Sequence, residues 1–446
     1  MSEGEKSLRA ALSRRRFIQQ AGLAAGGIAG MLAAGQANAS WFRRKGQAKS
    51  PNERLNVGVI GIANRGEANL KGVSTENIVA LCDVDANYLD KAKETYPDAK
   101  QYRDFFHLID DNDVEAVVVS TPDHTHAVAT MAALDSKLPV YCEKPLTHTV
   151  SEARAIGDRA RELKLATQMG NQIHAGSNYR RVVELIQSGA IGEVAEAHVW
   201  VGTVWEPMPR PKDIVPIPAN LKYDLWLGPA KYRPYHPEYL PFKWRRWWAF
   251  GGGTMADFGC HYMDLAHWAL SLRYPIEVHS NGPTPHPECA PNWMVTKFTY
   301  PARENLTGVE LNWYQGGKRP PHFEQGLLPK WGNGVLFVGA KGMLLADYSK
   351  HVLLPEKDFA GYQPPTPFIP DSIGHHAEWI QACKGAGGTT SNFDYASALT
   401  ETVQLGNVSH RIGNKRMEWD AVSLSSPNCP EAEGFVQHNY RRGWRL

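Results

Sequence analysis

An α/β protein built around a parallel sheet with helices on both faces is what the sequence predicts, on three observations. Short apolar strands alternate with helical stretches from Leu55 to about Met169. One of them, residues 114–120, is almost continuously apolar, as a parallel strand covered on both faces must be. The unusual polar residues of this half fall at the carboxyl ends of the strands, where open α/β sheets bind ligands.

In chain order, the first element is a targeting segment. Ser13-Arg14-Arg15-Arg16-Phe17-Ile18 matches the S-R-R-x-F-[LI] pattern, residues 21–34 are Ala/Gly-rich and weakly apolar, and Ala37-Asn38-Ala39 offers an A-x-A cleavage site. This order predicts a twin-arginine signal over residues 1–39, an arm over 40–54, and a periplasmic mature chain. Removing residues 1–39 takes five basic and two acidic residues from totals of 48 and 46, leaving 43 and 44, a formal charge of −1. Such a neutral surface has no basic field for nucleic acid or anionic membrane. After Ala39 no apolar run approaches the ~20 residues of a membrane span. About 400 mature residues suit two domains. The six cysteines show neither C-x-x-C nor Cys/His zinc spacing, so reduced thiols are expected; Cys289 and Cys429 are the only pair considered for a bridge.

Residues 55–60 read as the first strand. Gly61-Ile62-Ala63-Asn64-Arg65-Gly66 follows and opens a helix: Gly61 permits the tight turn, Ala63 is small enough for a pyrophosphate to approach the backbone, and Gly66 lets helix and strand pack. A second strand, residues 78–82, ends at Asp83. That is 22 positions beyond Gly61, where an acid can hold both ribose hydroxyls of an adenosine. With no Arg beside Asp83 to receive a 2′-phosphate, NAD is favoured over NADP. Thr121-Pro122 ends the strand of residues 114–120, and the next helix carries His126. Residues 139–142 form another strand with Glu143-Lys144-Pro145 at its end, and residues 164–169 form the last, running into Gly170-Asn171-Gln172.

With these motifs on the page, and with Asp257-x-x-x-His261 further on, the chain resembles the Gfo/Idh/MocA oxidoreductases over about residues 50–446. The resemblance implies a Rossmann NAD(P)-binding domain, residues 55–170. It also implies a C-terminal α/β domain, residues 171–446, with a large, mostly antiparallel open sheet that binds substrate and commonly pairs subunits. A homo-oligomer, dimer or tetramer, is therefore expected.

The chemistry follows from what oxidation of a secondary alcohol requires: a hydride acceptor, a base for the hydroxyl proton, and stabilisation of alkoxide charge. The resemblance implies Lys144 as the cation on the reacting hydroxyl, His261 as general base and Asp257 as its support. Glu143 would fix cofactor hydroxyls or orient the lysine. Asp257 and His261, at i and i+4, project from one helical face. An ordinary histidine, with its pKa of about 6.5, suits proton transfer at neutral pH. The series His261, Asp264, His267 drifts round the helix and lacks H-E-x-x-H character, so no metal is expected. Asp264 instead backs the site and His267 packs beneath Trp268. Gln172 and His174 are candidate hydroxyl ligands, with Trp244 and Arg245 beside them. The Trp- and Pro-rich stretch 203–239 reads as an ordered loop over the site, with Trp226 and Trp244 as sugar platforms. His375 and His376 border the pocket or merely start a helix; both readings stand.

The expected function is exported NAD-dependent oxidation of a sugar or glycoside hydroxyl to a keto-sugar, with the cofactor tightly held because the folded chain leaves the cytosol with it. A redox-assisted glycosidase is the alternative within enzymes. A cofactor-bound sugar sensor is the alternative outside them, disfavoured by Lys144, Asp257 and His261 standing together.

Overall fold

The computed structural model describes residues 52–303 and 306–446. The predicted signal, residues 1–39, lies outside the described residues, as does most of the arm. Two sheets organise the rest.

The first sheet holds six parallel strands in the order β3-β2-β1-β4-β5-β6. In chain order these are β1 (Asn56–Ile60), α1 (Arg65–Gly72), β2 (Asn77–Cys82), α2 (Ala86–Thr95), β3 (Lys100–Tyr102), α3 (Phe105–Ile109), β4 (Ala116–Val119), α4 (Asp123–Asp135), β5 (Val140–Glu143), α5 (Val150–Leu163) and β6 (Thr167–Gly170). The strand order reverses between β1 and β4, which opens a crevice beyond their carboxyl ends. Successive side chains point to opposite faces. Val57, Val59, Ala116 and Val118 therefore enter one core, and Ile60, Val117 and Val119 the other. The three-residue β3 escapes sequence reading because Lys100-Gln101-Tyr102 carries no apolar run.

The chain then forms a 3₁₀ turn (Gln172–Ala175), α6 (Ser177–Gln187), β7 (Val194–Val201), α7 (Tyr223–Leu227) and α8 (Gly253–Ala269). Next come β8 (Glu277–Asn281), β9 (Met294–Tyr300), β10 (Val309–Gln315), β11 (Gly334–Gly339), β12 (Gly342–Ala346), β13 (His351–Leu354), α9 (His375–Cys383), α10 (Phe393–Arg411) and β14 (Arg416–Glu418). The eight strands lie in the order β13-β12-β11-β7-β10-β9-β8-β14, antiparallel except for β7 with β10. The expected mostly antiparallel sheet is thus present. One face packs on α6, α8 and α10; the other, with Trp200, Tyr314, Leu336 and Leu345, is covered by Phe323, Leu328 and Trp331 of the β10–β11 connection.

A boundary at 170/171 separates the two sheets but not the two cores. Helix α9 returns from the second half to lay Trp379, Ile380 and Cys383 against Val57, Leu81, Val118 and Tyr141 of the first sheet. Helix α10 is buried along nearly its whole length, packed between α5, α8 and the second sheet. An all-round buried helix shows little amphipathic stripe, so its role is invisible to periodicity. All six cysteines are buried and unpaired; Cys289 and Cys429 form no bridge. No helix among the described residues is long and apolar enough to cross a membrane.

Candidate active site

A cleft of about 710 Å³ opens at the β1/β4 reversal and runs to the helix carrying Asp257 and His261. Its first wall is the turn after β1. Gly61 has φ +78, and a Cβ there would sit 2.6 Å from Ser120 O; a Cβ on Gly66 would strike Gly61 O. The turn therefore tolerates only these glycines and brings bare backbone to the cleft. Asn64 takes a positive φ of 54 with ψ −112, a backbone region that ordinarily favours glycine. Asp83 ends the next strand, accepting Ile62 N at 3.1 Å and Asp85 N at 2.9 Å. Burial, with Asp85 adding to it, pushes the Asp83 carboxyl up to about 6, although those two backbone donors oppose the rise.

Every predicted cofactor residue lines this cleft except Gly66, which lies beneath the turn. Three lining groups are buried without a protein partner: Thr121 Oγ1, Arg103 Nε and His261 Nδ1. Buried polar atoms of this kind are ordinarily satisfied, so a polar ligand fits here. The expectation that no Arg stands near Asp83 is corrected. Arg103, at the end of β3, lines the same cleft, though Nη2 is already held by Val84 O and Asn220 O at 2.5 Å each. Nothing in local sequence ties Arg103 to Asp83; strand pairing does.

Glu143 is the polar hub. It accepts Arg65 Nε at 3.0 Å, Asn69 Nδ2 at 2.9 Å and Gln172 Nε2 at 2.7 Å. Burial alone would raise its carboxyl, but Arg65, Asn69 and Lys144 outweigh that and hold it low. A Cβ on Gly170 would fall 2.6 Å from Glu143 Oε1, so the hub needs glycine there. His126 lies between Pro145 O and Thr121 O at 2.7 Å each, bracing the two strand-end loops at the cleft edge.

Lys144 meets the second domain. Its Nζ donates to Asp257 Oδ1 at 2.7 Å and to Asp257 O at 2.5 Å. The Asp257 carboxylate also accepts Arg245 Nε at 3.2 Å and Trp205 Nε1 at 2.9 Å. Burial would raise this carboxyl; the Lys144 and Arg245 cations outweigh it and hold it well below its usual range. Arg245 itself is packed among Trp244, Phe242 and Trp205, 4.3, 4.6 and 5.8 Å from the ring centroids. His261 lies one turn along α8 and lines the cleft. Its ring does not keep an ordinary pKa: burial, then the Lys144 charge, pull it down to about 3.

Other expectations need correction. His174 does not reach the cleft. It is buried, bonded through Nδ1 to Asp264 at 2.9 Å and stacked on Trp268 at 4.0 Å. Asp264 is occupied there and by Tyr395 Oη at 2.7 Å, while His267 bonds Tyr300 Oη rather than packing beneath Trp268. The series His261, Asp264, His267 thus points three ways, and no three His, Cys, Asp or Glu among the described residues gather to hold a metal. His375 and His376 bond Met169 O and Asn69 Oδ1, bracing α9 against the first domain outside the cleft. The loop over the site is ordered as expected, but Trp226 is mostly core, packed on Tyr223, Phe250 and His124.

Asp123 is the group sequence reasoning missed. As the first residue of α4 it looks like an ordinary helix-start acid, yet it is buried and lines the cleft. Burial pushes its carboxyl up to about 8, despite the Lys144 and Arg245 cations and with Asp257 adding to the rise. Trp205 was missed too, because only the folded loop carries it to Asp257.

Comparison with known proteins agrees with this architecture. Residues 55–171 match the NAD-binding Rossmann domain of an oxidoreductase family, and residues 180–308 match the C-terminal α/β domain of the same family, together more than half of the chain. Inositol 2-dehydrogenase of Salmonella paratyphi B is 33% identical over 150 residues, 32% of this chain and 45% of that protein. A glycosyl hydrolase family 109 protein of Shewanella pealeana is 28% identical over 205 residues, 41% of this chain and 44% of that protein. The match thus spans about half the length of these curated relatives. Among solved structures, GenD2 from gentamicin A biosynthesis, in complex with NAD, superposes with a TM-score of 0.58 at 17% identity, over 84% of this chain and 99% of that one. A levoglucosan dehydrogenase complex with NADH superposes with a TM-score of 0.55 at 15% identity, over 82% and 99%. At these identities the superpositions speak for the fold.

Proposed function

The chain belongs to the Gfo/Idh/MocA oxidoreductase family, and from that premise we propose that it is an exported NAD-dependent enzyme oxidising a secondary hydroxyl of a sugar or glycoside to the ketone. The observation that carries the reading is Lys144 of the first domain clasped by Asp257 of the second, with His261 one helical turn away on the same cleft.

The bare turn at Gly61, the Asp83 carboxylate and the unpartnered Thr121 hydroxyl are the groups that would hold the dinucleotide. When bound, it supplies the acceptor for the hydride leaving the substrate carbon. Lys144 stands where a cation stabilises the oxygen as it gains negative charge. Asp257 fixes the ammonium through two contacts, so the lysine need not reorganise during the reaction. His261, pulled down to about 3, is neutral at physiological pH and has no protein partner at its buried Nδ1, the nitrogen that would take the hydroxyl proton. A hydride, one proton with two electrons, would thus leave carbon, a proton would leave oxygen, and a carbonyl would remain. Trp244 and Arg245 form the facing wall, apolar ring beside cation, suited to an oxygen-rich ring.

The similarity to a family 109 glycosyl hydrolase supports a second reading, in which oxidation is followed by elimination of an aglycone, addition of water, and return of the hydride to the ketone. Following the absorbance of reduced nicotinamide while glycosides are added separates the readings. Accumulating NADH with a keto-sugar product is the expected result. Transient reduction with aglycone release would favour the glycosidase. Binding without any reduction would leave a sensor.

A further inference from the structure

We propose that residues 218–228, with the C-terminal strap 438–444, form a latch that roofs the adenosine end of the cofactor cleft, Arg441 and Trp444 being its positioning residues. The inference rests on the reading that this cleft holds a dinucleotide.

The roof is built from the second half of the chain. Asn220, Leu221, Leu225 and Trp226 line the cleft opposite Asp83. They are tied to the loop after Asp83 by backbone: Ala86 N donates to Asn220 O at 3.0 Å, and Lys222 N to Val84 O at 2.9 Å. Asn220 Nδ2 adds a bond of 2.6 Å to Asp85 Oδ1, and Arg103 bridges Val84 O and Asn220 O. In this latch, release of a dinucleotide bound on Asp83 is slowed by these bonds.

The strap holds the roof from behind. Arg441 donates through Nε to Gly228 O at 3.1 Å and through Nη2 to Asp224 O at 2.9 Å, its Nη1 pairs with the Asp224 carboxylate, and its own N–H bonds Pro229 O at 2.9 Å. One guanidinium thus ties both ends of the short α7, Asp224 in its first turn and Gly228 just past its end, to the strap. Trp444 packs its ring 6.0 Å from both Phe105 and Phe106, and Phe105 itself lines the cleft. Tyr440 Oη anchors the strap to Glu152 Oε1 at 2.8 Å; Glu152 caps α5 through its other oxygen. The strap thus joins two helices of the first domain, α3 and α5, to the roof helix α7.

The test uses the purified full chain, with dinucleotide release followed by exchange into excess labelled NAD. In Arg441→Ala and Trp444→Ala, release should accelerate by about tenfold or more, since charge-assisted bonds and packing absent from the open state are removed. With saturating NAD the kcat should stay within about twofold of wild type while the KM for NAD rises, because the chemistry of Lys144 and His261 is untouched. Trp444→Phe should restore slow release. Trp331→Ala, on the far face of the second sheet, controls for general destabilisation and should leave release unchanged. Unaltered release in both strap variants, or equal acceleration in Trp331→Ala, overturns the latch. A wild-type chain that binds no NAD at all would instead overturn the cofactor reading beneath it.

Discussion

Lys144, His261 and Asp83 are where single residues can be tested. His261→Ala should lower kcat by about 10²–10⁴-fold with bound dinucleotide retained, the range of a positioned general base. Lys144→Met, which removes charge at nearly constant volume, should do comparable damage. The double variant should be less than additive, since both groups act on one hydroxyl. Single-turnover reduction of bound cofactor is the measurement, and a wild-type rate in His261→Ala would remove the base from the scheme. The pH profile carries a second mark. A ring held at about 3 is neutral above that pH, so no activity limb assignable to His261 is expected near the usual histidine value of about 6.5. Asp83 works in the opposite direction. Its carboxyl, raised to about 6, is ionised above that value and protonated below it. NAD binding should therefore weaken as pH falls through about 6, because a protonated acid accepts ribose hydroxyls poorly. Titrating affinity by calorimetry checks this; Asp83→Asn should flatten the dependence, and Asp83→Ser should raise relative NADP affinity.

At the scale of elements, α9 is the informative one. Trp379 is fully buried against the first sheet although it follows β6 by some two hundred residues. Trp379→Ala should destabilise the protein by about 3–5 kcal/mol, the usual cost of emptying a buried aromatic site. Urea unfolding should show that loss, with early melting of the nucleotide domain; a change confined to the second sheet's signal would contradict this packing. Helices α1 and α4 and strands β1, β2, β4 and β5 were readable because each is a local apolar pattern with a turn signal. Helix α10 was readable as a helix but not as the central post it is. Strands β7, β8 and β12–β14 went unread; in β8 and β14 buried residues alternate with exposed ones over a short run, which resembles a loop in a single sequence.

At the scale of the whole molecule, the proposed export and the proposed latch make one joint prediction: a chain that folds before export would carry a cofactor it could not collect afterwards. The purified protein is expected to retain close to one dinucleotide per chain through gel filtration. Heat denaturation and assay of the supernatant measures this, and substoichiometric release from well-folded protein would count against it.

Local chemistry made much of this legible. Gly61 and Gly66 declare themselves because a turn that tight admits no Cβ. Asp257 and His261 declare themselves because i and i+4 share a helical face. Glu143-Lys144-Pro145 stands out because a polar cluster at a strand end has few structural uses. Such signals span a few residues, and the backbone alone enforces them. What lay beyond the sequence was decided by groups distant along it. The Lys144–Asp257 contact joins positions 113 apart. His174 was drawn into the core by Asp264 and Trp268, and Arg103 reached Asp83 only through the pairing of β2 with β3. The proton affinities of His261 and Asp123 follow from how much water the packed domains exclude, a sum over every neighbour that no stretch of sequence contains.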